Sequence, residues 1–278
     1  MNTKYLQPTA YFRKAKYTFA KLLFVLGVPL RVTTSVDSLR IAFIASSYTE
    51  YVLRARESYR REQVTMYWLR EIVMAGDVLY DIGANVGAYS LYAGKKMKGS
   101  QNNVLGLVYA FEPAFSNFFP LCRNIELNGL NDVVVPFPIG FGEKRYEADF
   151  FLRTTSTGSA LHGLDEPNSE GKTFDPAFKQ GISVVSIDEF VRNDNVRFPN
   201  HIKIDVDGSE QRIINGAKHI FSDQRLKSIM IEINEDIYGD EIDQFITAQG
   251  FELTKMEKWG ERNTYNKLFC RKESALGS

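Results

Sequence analysis

The stretch Tyr80-Asp81-Ile82-Gly83-Ala84-Asn85-Val86-Gly87 runs from a short apolar segment through two glycines directly into a helical pattern. Gly83 permits a tight turn after a strand, and Gly87 permits a ligand to approach the backbone closely. The free amide groups at the start of the following helix favour an anionic group of a ligand. The stretch therefore predicts a buried strand, a ligand-binding loop and a helix, in that order.

Short apolar segments of the same kind recur along the chain, separated by longer helical segments. A nearly continuous apolar run is typical of a strand buried on both faces of a parallel sheet. The predicted strands are residues 78–82, 105–111, 133–137, 201–206 and 228–233. The predicted helices are residues 87–98, 116–128 (with Ser116 as cap), 186–191, 209–221 and 241–249. This alternation indicates a doubly wound α/β sheet.

Two late apolar runs, residues 251–256 and 267–271, are joined by a polar stretch that leaves no room for a helix. They are expected to pair as an antiparallel hairpin, which completes a mainly parallel seven-stranded sheet. This arrangement is typical of the Rossmann-like class I methyltransferase fold and unusual in dinucleotide dehydrogenases. Residues 140–181, rich in Gly, Ser, Thr and Pro, are too many for a simple connection and predict an excursion over the ligand-binding edge.

The first 75 residues differ in pattern from the rest. Long apolar and aromatic stretches, broken at Gly27-Val28-Pro29, predict an N-terminal helical cover over residues 1–75. The α/β domain is then expected over residues 76–278, because a chain of 278 residues suits one large core with additions.

The composition limits the class of protein. Apolar residues make up 44% and charged residues 24%, as in an ordinary soluble globular protein. Basic and acidic residues number 34 each, so no net charge attracts a polyanion and no nucleic-acid partner is expected. Cys122 and Cys270 are the only cysteines. They suit a reducing cytoplasm and form neither a disulfide framework nor a metal-ligand pattern.

The N-terminal segment is basic, and its acidic residues begin only at Asp37. Its first basic residues are Lys4, Arg13, Lys14, Lys16 and Lys21. The apolar run over residues 22–30 is too short to span a bilayer and contains Pro29. Two interpretations stay open: an ordinary capping helix, or a helix that touches a membrane surface. We therefore expect a cytoplasmic protein, with or without a peripheral membrane contact.

The glycine loop is best explained by a bound S-adenosylmethionine (SAM). The helix amides would hold the methionine carboxylate, and Asp81 would face the ammonium and sulfonium charges. A nicotinamide cofactor is the alternative, because the dinucleotide fingerprint also has glycines at this turn. However, Asn85 stands where the middle glycine of that fingerprint belongs, and an Asp directly before the glycines is foreign to it.

The next two strands complete the predicted cofactor site. In Ala110-Phe111-Glu112-Pro113 the strand ends with an acid, whose carboxylate can accept hydrogen bonds from both ribose hydroxyls. Pro113 closes that strand and is a further predicted contact. Ile139 lies after the third strand, where the adenine of the cofactor is expected.

A second strand-to-helix turn, His201-Ile202-Lys203-Ile204-Asp205-Val206-Asp207-Gly208-Ser209-Glu210, brings two acids to the carboxyl edge of the sheet. Ligands of open α/β sheets bind at that edge. Asp205 is therefore a predicted cofactor contact and the leading candidate for a general base. His162 is the second candidate base, and Lys203 a third if its pKa is strongly depressed. Mg²⁺ held by Asp205 and Asp207 is an alternative, but no metal site is predicted.

Two further acids are secondary candidates. Glu62 is interpreted either as a contact to the methionine ammonium or as surface charge on a helix. Glu232, at the end of a predicted strand, faces the same sheet edge and is interpreted either as a contact to the acceptor or a metal, or as a helix cap.

Together these motifs resemble the FkbM family of methyltransferases over about residues 76–234. The motifs, in chain order, are Asp81-Ile82-Gly83-Ala84-Asn85-Val86-Gly87, Ala110-Phe111-Glu112-Pro113, Arg123-Asn124 with Leu127-Asn128-Gly129-Leu130, and Lys203-Ile204-Asp205-Val206-Asp207-Gly208-Ser209-Glu210 with Gly216-Ala217. The resemblance implies O-methylation of a hydroxyl on a glycan, sugar or secondary metabolite. It also implies a set of residues that hold SAM: Asp81, Gly83, Asn85, Gly87 and Glu112. A SAM-binding module without catalytic activity is the remaining alternative, and the oligomeric state stays open.

Overall fold

The computed structural model describes residues 8–99, 106–259 and 263–272, with side chains from residue 17 onward in those ranges. The strands are β1 (Leu30–Val36), β2 (Leu39–Ala45), β3 (Val78–Ile82), β4 (Leu107–Phe111), β5 (Val134–Phe137), β6 (Gly140–Phe141), β7 (Tyr146–Leu152), β8 (Gly163–Leu164), β9 (Asn168–Ser169), β10 (Lys172–Thr173), β11 (Phe178–Val185), β12 (His201–Ile204), β13 (Ser228–Asn234), β14 (Phe251–Trp259) and β15 (Thr264–Arg271).

The α-helices are α1 (Pro8–Val25), α2 (Ser58–Arg61), α3 (Gln63–Tyr67), α4 (Ala88–Lys98), α5 (Phe115–Leu127), α6 (Ile187–Phe190), α7 (Glu210–Asn215), α8 (Lys218–Ser222), α9 (Glu235–Tyr238) and α10 (Glu241–Ala248). Two π-helical segments span Glu50–Glu57 and Trp68–Ile72. None of the helices in the described part of the chain is long and apolar enough to cross a bilayer.

A seven-stranded sheet in the order β14-β15-β13-β12-β3-β4-β5 forms the centre of the fold. Its strands run parallel except β15, which pairs antiparallel with both β13 and β14. The chain moves outward from β3 to β4 and β5, then returns to the other side of β3 as β12. Crevices for ligands form at such a reversal of strand order. The predicted mainly parallel seven-stranded sheet with a terminal hairpin is confirmed.

Apolar side chains cover both faces of this sheet, as a parallel sheet requires. On one face, Trp68, Leu91 and Leu121 belong to a buried cluster together with residues of the N-terminal region. On the other face, Tyr80 and Phe221 belong to a second buried cluster with the helices that follow β12 and β13.

The helical cover predicted for the N-terminal region is wrong for β1 and β2, which pair as an antiparallel hairpin. Asp37 and Ser38 form its two-residue turn with φ of 48° and 65°, the geometry of favoured hairpin turns. The Val and Thr residues of β1 favour a strand because their branched side chains suit a pleated surface. Helices are present on either side of the hairpin, in α1 and in residues 50–72. The domain boundary after residue 75 stays a prediction.

The hairpin contacts the main domain through two asparagines. Asn124 lies in α5, and Asn128 is the residue that follows α5. Asn128 Oδ1 accepts a hydrogen bond from Ala42 N at 3.0 Å, and Asn124 Oδ1 accepts one from Ile44 N at 2.9 Å. Unpaired amides on a strand edge need partners, and these side chains supply them. The hairpin therefore packs as part of the main body.

Two predicted helix boundaries are also wrong. The helix predicted over residues 209–221 is divided into α7 and α8 at Gly216, where a Cβ would lie 2.1 Å from the carbonyl oxygen of Gly142. Ser116 does not cap α5, because Ala114 holds the cap position with φ of −68° and ψ of 118°. Residue 105, at the start of the predicted strand 105–111, and the basic residue Lys4 lie outside the described residues.

The predicted excursion between β5 and β12 forms a four-stranded sheet in the order β6-β11-β7-β8. The loop after β7 lies against α5, because Asn117 donates from Nδ2 to Ser159 O at 3.0 Å and accepts at Oδ1 from Gly158 N at 2.8 Å. The excursion thereby forms one wall at the carboxyl edge of the main sheet.

Candidate active site

A cavity of about 610 Å³ opens at the carboxyl ends of β3, β4, β12 and β13. Its size lies within the range of about 300–1,000 Å³ that is usual for small-molecule sites. The predicted site residues that line it are Gly83, Asn85, Glu112, Pro113, Ile139, His162 and Asp205. Two other predicted residues, Asp81 and Gly87, lie behind this lining.

The loop after β3 is pressed against the loop after β12. Gly83 has φ of 81°, and a Cβ there would lie 1.8 Å from the carbonyl oxygen of Asp205. Its amide donates to Phe111 O at 3.0 Å, which ties the loop to the end of β4 as well. No other residue type fits at position 83 without separating the two loops.

Gly87 begins α4 with φ of 92°. A Cβ at this position would lie 2.6 Å from Leu121 Cδ1. The positive φ therefore favours glycine here, and a side chain would also displace the tip of Leu121 in α5.

Glu112 ends β4 and is almost completely buried beside the glycine loop. Its Oε2 accepts a hydrogen bond from Asn85 N at 2.8 Å, and its Oε1 accepts one from Ala114 N at 2.9 Å. Burial raises the pKa of Glu112 to about 7, although these backbone hydrogen bonds oppose the rise. Each oxygen keeps a further lone pair that can accept a hydrogen bond from a ligand hydroxyl.

Asn85 joins the glycine loop after β3 to the excursion. Its side-chain Nδ2 donates to Ser159 O at 2.8 Å, so the side chain holds the loop after β7 while the backbone amide holds Glu112. Asn85 has φ of 52°, a left-handed conformation that Asn tolerates better than most residues.

Asp81 and Lys203 are buried beneath the cavity, and they form a chain of charges with Asp205, which belongs to the lining. Lys203 Nζ donates to Asp205 Oδ2 at 2.8 Å and lies 3.6 Å from Asp81 Oδ1. Asp81 Oδ2 accepts from Ser90 Oγ at 2.6 Å, whereas Asp81 Oδ1 is buried with no hydrogen-bond partner. The chain therefore contains one buried carboxylate oxygen that is still free to accept a hydrogen bond.

Lys203 does not have the depressed pKa that it would need to act as a general base. Burial alone would lower the pKa of its ammonium, but the charges of Asp205, Asp81 and Glu62 outweigh burial and raise the pKa above its ordinary value. Lys203 therefore stays positively charged and neutralises its acidic neighbours.

Carboxyl groups with raised pKa values line the far side of the cavity. Burial, assisted by the charge of Asp205, raises the pKa of Glu62 to about 7. Burial and the neighbouring acids also raise the pKa of Glu232 well above its ordinary value. Burial raises the pKa of Asp207 to about 6, and Asp207 Oδ2 accepts a hydrogen bond from Leu161 N at 2.6 Å. Glu62 and Asp207 therefore exchange protons near neutral pH.

Glu62 reaches the cavity because the chain bends there. It separates α2 from α3 with φ of −108° and ψ of 77°, between the two π-helical segments. Thr65 Oγ1 donates to Glu62 Oε2 at 3.1 Å and orients the carboxyl group. Irregular helical geometry of this kind is frequent at functional sites.

His162 lines the cavity as a buried, neutral ring. Its Nδ1 accepts a hydrogen bond from Arg153 N at 3.3 Å, and its Nε2 lies 3.4 Å from Ser159 Oγ. Burial lowers the pKa of His162 to about 4, assisted by the charges of two arginines. A group with so low a pKa is a weak proton acceptor at neutral pH.

Three residues of the cavity lining, Arg54, Arg61 and Trp259, were not predicted as site residues from the sequence. Arg54 comes from the π-helical segment Glu50–Glu57, and its Nε donates to Gly158 O at 2.9 Å. Trp259 ends β14, and the guanidinium of Arg61 lies 4.8 Å from its ring centroid. No local motif marks them, because each reaches the cavity only through tertiary packing.

The described residues contain no group of three or more His, Cys, Asp or Glu side chains arranged to hold a metal ion. Asp205 is turned toward Lys203, whereas Asp207 is turned toward the amide of Leu161.

Residues 81–253 match the family described as Methyltransferase FkbM domain. Hexuronic acid methyltransferase AglP of Haloferax volcanii is 25% identical over 211 residues, which are 75% of this chain and 78% of that protein. Methyltransferase 1 of Beauveria bassiana is 28% identical over 149 residues, which are 50% of this chain and 57% of that protein.

Among solved structures, this chain is similar to the FkbM methyltransferase of Methylobacillus flagellatus, with a TM-score of 0.49 and 17% identity. The similarity covers 73% of this chain and 46% of the other, so this chain spans less than half of that protein.

Proposed function

This chain belongs to the FkbM methyltransferase family, and from that premise we propose that it transfers the methyl group of SAM to a hydroxyl oxygen of a sugar. The observation that carries the proposal is one cavity whose lining combines the predicted cofactor residues with a second set of charged and aromatic residues. We assign these two sets to a cofactor half and an acceptor half. The cofactor half consists of Gly83, Asn85, Glu112, Pro113 and Ile139, with Asp81 behind it. The acceptor half consists of Arg54, Glu62, Glu232 and Trp259, and Asp205 lies where the two halves meet.

The cofactor half fits SAM in three respects. The free lone pairs of the Glu112 carboxyl suit the two ribose hydroxyls, and Ile139 and Phe141 offer apolar surface for the adenine. Asp81 lies behind this half with its Oδ1 3.6 Å from the Lys203 ammonium and without a hydrogen bond, and its negative charge suits the ammonium and sulfonium charges of the cofactor. When bound, SAM supplies an electrophilic methyl group.

Membership of a methyltransferase family removes the support for the nicotinamide alternative. The glycine loop and Glu112 then have one consistent interpretation as the site of SAM.

The acceptor half suits a sugar. Carboxyl groups such as Glu62 and Glu232 can accept hydrogen bonds from hydroxyls, and the face of Trp259 can pack against the C–H face of a sugar ring. Hexuronic acid methyltransferase AglP, to which this chain is similar, has a sugar acid as its named acceptor. Arg54 and Arg61 at the same wall could pair with an acidic sugar.

Methylation of a hydroxyl releases its proton, so the site needs a proton acceptor. Asp205 lines the cavity, and its Oδ2 already accepts a hydrogen bond from Lys203 Nζ at 2.8 Å, which leaves Oδ1 to accept one from the acceptor hydroxyl. Glu62, with a pKa of about 7, meets the requirement for a base that works near neutral pH. We assign Asp205 to hold the hydroxyl in line with the methyl group and Glu62 to take the proton.

Positioning supplies much of the remaining rate. A hydroxyl held at near-attack distance gains the advantage of an intramolecular reaction. The excursion covers this edge of the sheet and restricts entry of bulk water to the cavity.

The test is transfer of labelled methyl from SAM by the full chain. The acceptors are the p-nitrophenyl glycosides of glucuronic acid and of glucose, with catechol as a phenolic comparison. We expect a methyl ether on at least one glycoside, and loss of transfer in Asp205→Asn with SAM binding retained. Transfer to catechol and to neither glycoside would contradict the sugar acceptor. Binding of SAM without transfer to any hydroxyl would favour the non-catalytic alternative.

A further inference from the structure

Helix α1 and the turn after it expose a stripe of large apolar side chains. The exposed fractions are 62% for Phe19, 54% for Leu22, 83% for Val25, 66% for Leu26 and 43% for Val28. Phe19, Leu22 and Leu26 are spaced by three and four residues, so they lie on one side of the helix. Nothing in the described part of the chain covers this apolar stripe.

The stripe is not the face by which α1 joins the fold. On the opposite side Ala20 is buried, the ring of Tyr17 lies 6.1 Å from Tyr51, and the ring of Phe24 lies 5.8 Å from Tyr51. The helix therefore has one apolar face packed on the protein and a second apolar face in solvent. A second apolar face on an anchored helix indicates a surface that binds something.

The charge of this region identifies the kind of surface. Residues 1–36 contain six basic and no acidic residues, although the whole chain contains 34 of each. The remaining residues therefore contain 28 basic and 34 acidic residues, so positive charge is concentrated in the N-terminal stretch of sequence that contains the stripe. An apolar helix face with basic residues and no acidic ones is typical of helices that lie in the interface of an anionic membrane.

We propose that the apolar stripe of α1, with the surrounding basic residues, docks on the surface of a bilayer that contains anionic lipids. The helix lies in the plane of the interface, with the face that contains Ala20 toward the protein and the apolar stripe toward the lipid. The apolar side chains enter the boundary between headgroups and acyl chains, and the lysines and arginines contact lipid phosphates.

The docking surface is joined to the active-site cavity by one short segment. Tyr51 packs against α1, while Leu53 and Arg54, two and three residues later, line the cavity. An acceptor attached to the same bilayer would therefore be delivered close to the cavity, an extension that rests on the proposed function. The docking itself does not depend on methyl transfer.

Co-sedimentation of the full chain with vesicles tests the docking. One set of vesicles contains phosphatidylcholine alone, and the other contains phosphatidylcholine with phosphatidylglycerol. The double variant Leu22→Asp with Leu26→Asp alters the stripe. The matched control is Phe119→Asp with Met256→Asp, because these side chains are exposed by 68% and 50% and lie elsewhere.

We expect the chain to sediment with the phosphatidylglycerol vesicles, to be released by high salt, and to bind phosphatidylcholine weakly. The stripe variant should lose binding at least tenfold with an unchanged unfolding temperature, whereas the control variant should bind normally. Equal binding by the stripe variant, or no binding to either vesicle, would overturn the proposal. A dimer in gel filtration that the stripe variant abolishes, without vesicle binding, would overturn it in favour of a second copy of this chain. Neither SAM nor an acceptor enters the assay, so its failure would leave the proposed methyl transfer intact.

Discussion

The cofactor half and the acceptor half of one cavity are constructed in different ways. In the cofactor half, a backbone loop of a few residues is fixed by its own amides, as in the contact of Asn85 N with Glu112. In the acceptor half, segments far apart in sequence meet, as in the contact between Arg54 and Gly158 O. Short continuous stretches of sequence therefore shape the proposed cofactor site. Tertiary packing of segments that are distant in sequence shapes the proposed acceptor site.

The largest expected effect is that of Gly83→Ala, which tests how rigid the cofactor half is. The new Cβ would lie 1.8 Å from the carbonyl oxygen of Asp205, so the loops after β3 and β12 must separate. We expect loss of measurable SAM binding in calorimetry and destabilisation of about 3 kcal/mol or more in chemical denaturation.

Gly129→Ala is the matched control for Gly83→Ala. Gly129 also has a positive φ, of 64°, but a Cβ there meets no atom within 4 Å. Only the conformational cost of about 1 kcal/mol should appear, with normal SAM binding. Equal effects of the two substitutions would contradict the close contact between the loops.

Lys203→Met tests the ion pairs that Lys203 forms with Asp81 and Asp205. Removal of the ammonium leaves Asp81 and Asp205 without their counter-charge, and the free energy of unfolding should fall by about 3 kcal/mol at pH 7. Lys267→Met is the control, because Lys267 is equally buried but both of its partners, Glu235 and Asp243, are 30% and 26% exposed, whereas Asp81 beside Lys203 is 1% exposed. Its loss should be smaller and should leave SAM binding unchanged. The reverse order of the two losses would refute the structural role given to Lys203.

Glu62→Gln tests the division of labour in the acceptor half. The substitution removes the proposed proton acceptor and should lower the rate of methyl transfer at least about a hundredfold. In the pH dependence of the rate, the rise with an apparent pKa near 7 should disappear, while the affinity for SAM stays unchanged. The matched variant is Glu232→Gln, which should retain that rise. If Asp205→Asn and not Glu62→Gln removes the rise, Asp205 is the base.

Glu112→Gln tests the cofactor half with a smaller structural change than Gly83→Ala. The amide keeps the size of the side chain but loses one acceptor oxygen and the charge, so the affinity for SAM should fall about tenfold. Calorimetry of the two proteins at pH 8 measures this difference, since Glu112 is mostly ionised there. An unchanged affinity would show that the ribose does not contact this carboxyl group.

The smallest expected effect is the dependence of the free energy of unfolding on pH. Glu62, Glu112 and Glu210 each have a pKa raised by burial to about 7, so the native state binds more protons than the unfolded state. The contribution of these glutamates to the free energy of unfolding is fully present below the pKa that they have in the unfolded chain. It is lost as the pH rises through about 7, their pKa in the folded protein. Each such group should contribute a loss of about 1 kcal/mol between pH 6.5 and pH 8.

The opposite contributions fall outside that pH window. Burial lowers the pKa of His162 to about 4, so its contribution rises with pH only up to the unfolded value near 6.5. Urea unfolding at pH 6.5 and pH 8 measures the net fall, and Glu210→Gln should reduce it. A flat profile over this range would mean that these carboxyl groups are ionised in the folded protein at pH 6.5.

The strand and the glycine loop were predicted well because their signals are local, whereas the role of the loop in binding SAM stays a prediction. The strand at residues 78–82 and the glycine loop each occupy one continuous stretch, and the turn after a parallel strand has few alternatives. The β1–β2 hairpin was missed because its apolar residues resemble those of the helices on either side. Its turn residues Asp37 and Ser38, which together adopt positive φ, were the available signal.

The acceptor half could not be predicted in the same way. Trp259 reaches the cavity from the last hairpin and Glu62 from a break between two short helices. Neither position has a local pattern that fixes where its side chain points. The raised pKa of Glu62 is likewise a property of burial and of its neighbours in space, which no sequence spacing reveals.

Isothermal titration of SAM into the full chain, beside Asp81→Asn and Glu232→Gln, tests the central claim most directly. The account predicts saturable binding by the wild-type protein, severe loss in Asp81→Asn, and near-normal binding in Glu232→Gln. Absence of heat with the folded wild-type protein, or equal loss in both variants, would contradict a cavity divided into a cofactor half and an acceptor half.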